Sequence, residues 1–356
     1  MDTFERLPEQ EEAKRLLRAA LAERPAHAYL LHGPPGVGKR AAALAFAGEL
    51  LGDAARVERR THPDLYVLEP LGDQIRIDEI RELRRDLHMR PFEASHRVYL
   101  VLGADRMNED AADALLKDLE EPPPYAVVLL VADELGPLPE TIRSRCQPVP
   151  FHRLSERAIR EALEARAPGL PEAQQTALAR VAAGRLDRLA RLLDAKAAER
   201  RLVLLEIARD VYRDPAFEPA RAAAALLEGV REHAAEAKAA EEVKLAGLDL
   251  PTREAEQRAR RAAFGAEREE LLATLEELAA WYRDLVVAGA GAREAVVHVD
   301  RLAEIDEDGT RERLLGAERA AEHVRALWRQ VEEFNLSPQL ALEALFVRLR
   351  RELATG

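Results

Sequence analysis

The stretch from Gly33 to Lys39 holds the most specific chemical pattern in the chain. It reads Gly-Pro-Pro-Gly-Val-Gly-Lys and fits G-x-x-x-x-G-K, the pattern of a loop that cradles phosphate groups. Glycines let backbone N–H groups turn towards phosphate oxygens, and the lysine adds a positive charge. The candidate nucleotide-binding residues of this stretch are Gly33, Pro34, Pro35, Gly36, Val37, Gly38, Lys39 and Arg40.

The residue after Lys39 departs from the pattern of a hydrolysing enzyme. Such an enzyme has Ser or Thr there, and the hydroxyl group helps to hold magnesium. This chain has Arg40, whose guanidinium has no lone pair to offer a cation. We therefore expect a loop that is suited to phosphate but holds no magnesium through the usual ligands.

The acidic residues of an ATPase are also missing from the place where they are expected. The apolar run 98–102 predicts a buried strand, and an ATPase carries carboxylates at the end of such a strand. Leu102 and Gly103 occupy that place, and Asp105 comes slightly later. These losses favour a non-hydrolysing site at which ATP binding is weak or absent. Asp105 acting as a displaced acid is the alternative.

A second candidate for phosphate chemistry is Arg145, in the segment Ser144-Arg145-Cys146. An arginine just past a strand can reach out of its own subunit and stabilise the charge on a phosphate bound by another protein, as an arginine finger does. A surface arginine paired with a local acid is the more ordinary interpretation. The spacing alone does not choose between the two.

Apolar periodicity predicts the elements that position these residues. Strands are predicted over 28–31, 64–68, 98–102 and 126–132. Helices are predicted over 9–23, 40–51 and 77–88, and Asn108 caps a further helix that ends before Pro122. The polar segment 52–61 is predicted as a loop. Alternating strands and helices predict an α/β fold, a parallel sheet with helices on both faces.

Helical patterns alone follow residue 152, with Ser155 as a cap for the first of them. The predicted helices are 157–165, 171–183 and 186–193, followed by a long helical region. The predicted domains are an α/β phosphate-loop domain over 1–152, a helical lid over 153–194 and an all-α C-terminal domain over 195–356. Within the last, the charged stretch 231–270 predicts a helical arm or a partly disordered insert, broken near 247–251.

Composition narrows the class of protein. The chain has 356 residues and a net charge of −12 that is spread along its length, so no basic domain indicates nucleic-acid binding. A basic face over Arg81, Arg84, Arg85 and His88 is a candidate for contact with DNA phosphates, although a solvated face balanced by nearby acids is favoured.

Cysteine content and the N-terminal residues suggest the compartment. The single cysteine, Cys146, excludes an internal disulfide and a cysteine-based zinc site. The first five residues lack the basic and apolar regions of a signal peptide, and no apolar run approaches the length that spans a membrane. We expect a cytoplasmic protein without a membrane partner.

Six short motifs occur together in an order that resembles a known family. They are His27-Ala-Tyr29, Gly33 to Lys39, His62-Pro-Asp64, Asp105-Arg-Met-Asn108, Ala114-Leu-Leu-Lys-Asp-Leu-Glu-Glu-Pro-Pro123 and Ser144-Arg-Cys146. The set resembles the clamp-loader AAA+ family of bacterial DNA polymerase III, and within it the delta-prime branch, over residues 9 to about 193. Residues 281–284 and 335–345 resemble the C-terminal collar domain of that family more loosely.

The resemblance implies an AAA+ domain, a lid and a collar that holds five subunits in a ring. It implies a stator without ATPase activity, whose Arg145 acts in trans, between Ser144 and Cys146, on the ATP site of a neighbouring motor subunit of the gamma or tau type. The other implied partners are a delta subunit, the sliding clamp and, through the assembled complex, primed DNA. The chemistry of nucleotidyl transfer belongs to the polymerase holoenzyme.

Departures from the family sharpen these expectations. Many relatives carry four zinc-binding cysteines after the phosphate-loop helix, but residues 51–61 have none, so we predict no zinc. The motor subunits' sensor threonine is absent, because Ala132-Asp133 occupy its place at the end of the fourth strand. Gly184-x-x-x-Arg188 resembles the lid's sensor arginine, which adds Arg188 to the candidate nucleotide-binding residues. An active gamma- or tau-like ATPase and a free-standing nucleotide sensor remain as alternatives.

Overall fold

A computed structural model describes residues 3–70, 72, 74–246, 251–333 and 336–353 of the chain. The described residues form two compact units. The first takes in those up to Pro168 together with Gly184–Arg188, and the second takes in Gly169–Ala183 and the residues from Leu189 onward. The domain boundaries predicted near 152 and 194 stay predictions.

The first unit is built on a five-stranded sheet. Its strands are β1 (Ala28–His32), β2 (Leu65–Leu68), β3 (Arg97–Leu102), β4 (Ala126–Ala132) and β5 (Gln147–Pro150). They are arranged in the order β2-β3-β4-β1-β5, and every neighbouring pair is parallel. The four predicted strands are therefore confirmed, each within a residue at either end.

Helices cover both faces of this sheet, because successive side chains of a strand point to opposite sides. The helices of the first unit are α1 (Glu11–Ala22), α2 (Lys39–Leu51), α3 (Ala54–Glu58), α4 (Ile77–Leu87), α5 (Glu109–Glu120), α6 (Glu140–Arg143) and α7 (Glu156–Arg166). Leu30 and Leu130 enter a core with α4 and α5, whereas Leu31 and Leu129 enter a second core with α1 and α2. The predicted fold class is confirmed.

Two elements of the first unit correct the sequence prediction. β5 went unpredicted because Pro148 and Pro150 lack backbone N–H donors, which a sheet tolerates at an edge, and β5 is the edge strand beside β1. The segment 52–61 is not wholly a loop, since it contains α3. Asp53 caps that helix by accepting the N–H of Arg56 at 2.9 Å, and Val57 is fully buried.

The second unit is helical. Its helices, together with one shared between the units, are α8 (Glu172–Ala182), α9 (Leu186–Leu193), α10 (Ala195–Arg213), α11 (Pro219–Leu245), α12 (Thr252–Gly289), α13 (Leu302–Asp308), α14 (Leu314–Glu333) and α15 (Pro338–Leu353). The charged stretch 231–270 is helical within α11 and α12, and its two other described residues, Ala246 and Pro251, lie just outside these helices. The break predicted near 247–251 falls mostly on residues 247–250, outside the described residues. No helix in the described ranges is long and apolar enough to span a membrane.

A buried charge network lies at the centre of the second unit. Asp284 is fully buried, and its Oδ2 accepts the backbone N–H of Val297 at 2.9 Å and of His298 at 2.7 Å. The same oxygen lies 2.8 Å from Nδ1 of His298, and Nε2 of that ring lies 3.1 Å from Oε1 of Glu277. Because both ring nitrogens face carboxylates, the geometry favours the imidazolium form, in which both nitrogens donate. Burial opposes this charge, but the two carboxylates raise the pKa of His298.

The stability of the second unit should decrease as the pH rises above about 6.5, the ordinary pKa of histidine. A histidine whose folded pKa is raised contributes fully below its ordinary pKa of about 6.5 and loses that contribution as the pH rises through the folded value. The change His298→Gln should flatten this decrease and destabilise the protein by about 1–3 kcal/mol at low pH. Urea unfolding followed by tryptophan fluorescence measures it, because both tryptophans, Trp281 and Trp328, lie in the second unit.

The matched control is His233→Gln, which changes a partly exposed histidine of α11. This variant should keep the pH dependence of the unchanged protein. A His298→Gln protein with the same pH profile as the unchanged protein contradicts the role given to the imidazolium.

Candidate functional site

The phosphate loop connects β1 to α2 and lies at the carboxyl end of the sheet, where ligands of open α/β sheets bind. Gly33, Gly36 and Gly38 have φ values of 134°, 68° and 101°, a region that other residues rarely adopt. A Cβ atom at Gly33 would lie 2.2 Å from the carbonyl oxygen of Phe151. The glycines are therefore needed for the loop to form, and its backbone has the shape that the sequence pattern predicts.

The ammonium group of Lys39 is already paired with acceptors of its own chain. Its Nζ donates to the carbonyl oxygens of Gly33 at 2.6 Å and Pro34 at 2.5 Å, and it lies 2.7 Å from Oδ1 of Asp133. The side chain is only 4% exposed. An ammonium group has three N–H donors, and these three acceptors account for all of them. A phosphate group would have to displace at least one of the three.

Sheet register explains why Asp133 reaches Lys39. His32 at the end of β1 is paired with Ala132 at the end of β4, so the residues that follow the two strands lie at the same level. Asp105 holds the turn after β4, because its Oδ2 accepts the N–H groups of Asp133 and Glu134, each at 3.1 Å. Burial and the neighbouring charge of Asp133 raise the pKa of Asp105.

Asp133 is the site residue that the sequence argument missed. In the sequence, Ala132-Asp133 indicates only that a sensor threonine is absent. The available signal was the acid at the end of a predicted strand, but the strand order that places it beside the loop is not visible in one sequence. Asp105, the candidate displaced acid, contacts the backbone of the turn and so supports Asp133.

The segment Gly184–Arg188 belongs to the first unit and contacts the loop directly. The N–H of Leu186 donates to the carbonyl oxygen of Gly36 at 2.7 Å. A Cβ atom at Gly36 would lie 1.7 Å from Oδ1 of Asp187, so a carboxylate lies against the loop. Although burial opposes it, the hydrogen bond and charge of Arg185 lower the pKa of Asp187 and keep it ionised. Arg188, the predicted sensor arginine, follows in the first turn of α9.

Arg40, which occupies the position of the metal-ligating Ser or Thr, pairs with an acid outside the phosphate loop. Nη2 of Arg40 lies 2.9 Å from Oε1 of Glu69, and the same oxygen lies 2.8 Å from Nη2 of Arg60. The glycines of the loop have the positive φ values that a phosphate-binding turn uses. The side chains around it do not fit magnesium–ATP as they are arranged, because Lys39 is neutralised by Asp133 and Asp187 presents a negative charge to the loop.

Arg145 lies in the short link between α6 and β5, and its two neighbours are anchored. Oγ of Ser144 donates to the carbonyl oxygen of Thr141 at 3.1 Å, and Cys146 is buried, which raises the pKa of its thiol to about 12. The guanidinium of Arg145 reaches the surface instead. Its Nη1 donates to the carbonyl oxygen of Thr141 at 2.8 Å, and its Nη2 pairs with Glu120 of α5. These contacts are with α5 and α6 and not with the phosphate loop.

The basic face predicted on α4 is largely balanced by acids. Arg84 and His88 both contact Asp118 of α5, and Arg81 lies 3.1 Å from Asp78. Asp118 is buried, so these contacts also attach α5 to α4. The arrangement agrees with the favoured interpretation of a solvated, balanced face.

Comparison with known proteins finds similarity over much of the first unit. Residues 9–155 match the family described as "DNA polymerase III, delta subunit". Subunit delta' of DNA polymerase III from Bacillus subtilis is 34% identical over an alignment of 162 residues, and the match covers 42% of this chain and 49% of that protein. The delta' subunit from Pseudomonas aeruginosa is 40% identical over an alignment of 136 residues, and the match covers 34% of this chain and 42% of that protein. Residues 9–155 are thus similar to delta' subunits of DNA polymerase III, and we call them the delta-prime-like region.

The delta-prime-like region contains both the phosphate loop and Arg145. The chain spans about half the length, or less, of the curated relatives it matches. It is also similar to subunit tau of Bacillus subtilis DNA polymerase III, with 32% identity over 170 residues that cover 44% of this chain and 30% of that protein. Among solved structures, a DNA polymerase III gamma subunit-related protein from Thermotoga maritima has a TM-score of 0.44 at 16% identity and covers 96% of this chain and 99% of its own.

Nucleotide binding by the delta-prime-like region should be limited by Asp133. The change Asp133→Asn should strengthen ATP binding roughly three- to tenfold, because it removes the carboxylate that competes with phosphate for Lys39. Isothermal titration calorimetry with ATP, in the absence and in the presence of magnesium, measures this directly. The control Glu134→Gln removes the neighbouring exposed acid and should change nothing. Equal ATP affinity in the two variants contradicts the competition.

Proposed function

We propose that this chain is a clamp-loader subunit of DNA polymerase III that does not hydrolyse ATP and that supplies Arg145 to an ATP site on a neighbouring subunit. The observation that carries the proposal is the contrast between two cationic groups. The ammonium of Lys39 is buried and neutralised inside its own loop. The guanidinium of Arg145 reaches the surface, and the neighbouring Ser144 is anchored by a hydrogen bond to Thr141. A phosphate reaches the first cation only by displacing one of its acceptors, whereas the second has N–H donors open to a phosphate from outside.

Similarity to delta' subunits supports the class of complex. The matched residues include the loop, the strand ends and Ser144–Cys146, which are the parts that the proposal uses. On this basis we assign partners of the gamma or tau kind as the ATP-binding neighbours. A delta subunit, the sliding clamp and primed DNA follow as partners of the assembled complex.

The chemistry explains why an arginine would act in trans. Transfer of a phosphoryl group leaves negative charge on the transferring oxygens, and an arginine finger stabilises that charge. A finger without its own metal and nucleotide is useful only beside a subunit that has both. Arg40 in the metal position and the neutral pair Leu102-Gly103 at the end of β3 make the chain's own loop a poor place for that reaction.

The change Arg145→Ala should lower ATP turnover by a reconstituted complex, in the presence of clamp and primed DNA, without preventing its assembly. A finger contributes about 10³–10⁵ in rate at its own site in GTPases, but a ring has several sites, so the total rate should fall only in part. Arg145→Lys should rescue poorly, because lysine lacks the planar fork of donors. Steady-state ATPase and clamp-loading assays on matched complexes measure the effect.

Arg143→Ala is the matched control, since it removes an exposed arginine two positions away on α6. This variant should behave like the unchanged complex. If Arg145→Ala and Arg143→Ala give the same ATPase and loading rates in fully assembled complexes, Arg145 is an ordinary surface residue.

The isolated chain should not turn over ATP above background. Its loop lacks a hydroxyl ligand for magnesium, and Asp133 occupies the lysine that would contact the transferring phosphate. Turnover by the purified chain is compared with that of Lys39→Ala. An activity that disappears in this variant would establish the alternative, an active gamma- or tau-like ATPase.

A further inference from the structure

We propose that Glu120 is the positioning residue of Arg145. It holds the guanidinium at the surface so that the remaining N–H groups face a phosphate on the neighbouring subunit. The inference rests on the proposed function, because it assigns the residue that prepares the arginine for its role in trans. Glu120 itself does not touch the nucleotide.

The hydrogen bonds of Arg145 leave part of the guanidinium free. Nη1 donates to the carbonyl oxygen of Thr141 at 2.8 Å and approaches Oγ of Ser144 at 3.5 Å, and Nη2 pairs with Oε1 of Glu120. An arginine has five N–H donors, so these three contacts leave two for an external acceptor. The arginine can therefore keep its bond to Glu120 while it contacts a phosphate. The arginine side chain is 33% exposed, which gives an external ligand access to it.

Glu120 is well placed to hold another side chain, because the end of α5 is fixed on several sides. It is the last residue of α5, and Pro122 cannot continue the helix, so Glu121 leaves it with φ −126° and ψ 62°. The preceding Leu119 is buried in the core between the sheet and the helices. Asp118, also buried, is bound by Arg84 and His88 of α4.

A stabilising role does not account for this ion pair. Glu120 is 48% exposed, and exposed ion pairs contribute little to folding stability. The main effect of Glu120 is on the conformational freedom of the Arg145 side chain. A free arginine side chain samples many rotamers, and a catalytic group that is held in its working geometry loses less freedom when the substrate arrives. The pair therefore matters for the arginine's orientation and not for the fold.

The test measures the Arg145-dependent rate, which is the difference in stimulated ATP turnover between complexes with unchanged Arg145 and with Arg145→Ala. Glu120→Ala should lower this rate about tenfold, while the KM for ATP and the assembly of the complex stay the same. Glu120→Gln keeps an acceptor oxygen at the same place and should retain the rate within about twofold. Glu121→Ala removes the neighbouring exposed carboxylate and should have no effect.

A double-variant cycle separates positioning from other roles. Adding Glu120→Ala to a complex that already carries Arg145→Ala should change nothing, because the residue acts through the arginine. A further loss in that background, an increased rate in Glu120→Ala alone, or a failure of Glu120→Ala to assemble would each overturn the proposal. An increased rate would mean that Glu120 competes with the phosphate for the arginine.

The outcome for Arg145 distinguishes the two claims. If Arg145→Ala has no effect, the proposed function fails. If Arg145→Ala lowers the rate but Glu120→Ala matches the Glu121→Ala control, the arginine acts in trans and only its positioning by Glu120 is wrong.

Discussion

The ion pair between Lys39 and Asp133 is the interaction that sets the properties of the phosphate loop. The loop that surrounds Lys39 has the glycines and backbone shape of a phosphate cradle, yet the lysine is enclosed and satisfied by acceptors of its own chain. Parallel register between β1 and β4 brings the acid there, and Asp105 fixes the turn that carries it. The loop has the pattern of an anion site, but its lysine is already paired with a carboxylate of the same chain, Asp133. Asp187 of the Gly184–Arg188 segment places a second carboxylate beside Gly36.

The other candidate cation of the first unit, Arg145, reaches the surface instead of being buried. Ser144 and Cys146 are anchored on either side of Arg145, and the guanidinium between them reaches the surface. Glu120 and Thr141 use part of its donor set and leave the rest for an acceptor outside. The phosphate loop follows β1, and Arg145 lies just before β5, the neighbouring strand. The loop that resembles a phosphate site and the arginine that we propose acts on a phosphate are therefore separate parts of one unit.

The sequence predicted the sheet and most of its helices, because long apolar runs and caps such as Asn108 and Ser155 are local signals. It did not predict β5, whose two prolines look unlike a strand and are tolerated only because β5 lies at an edge. It also did not predict α3, a single short helix that depends on the cap by Asp53. The loop glycines, Lys39, Arg40 and Arg145 could be named from motifs. Asp133, Asp187 and Glu120 could not, because their roles depend on register and on contacts between distant segments.

The most direct test of the central claim is a structure of the reconstituted clamp loader with a non-hydrolysable ATP analogue. We expect a guanidinium nitrogen of Arg145 within hydrogen-bond distance, about 3 Å, of a phosphate oxygen on the neighbouring subunit. In the same structure, Lys39 should remain paired with Asp133. A nucleotide phosphate on Lys39 of this chain, with Arg145 distant from every nucleotide in the ring, would contradict the account.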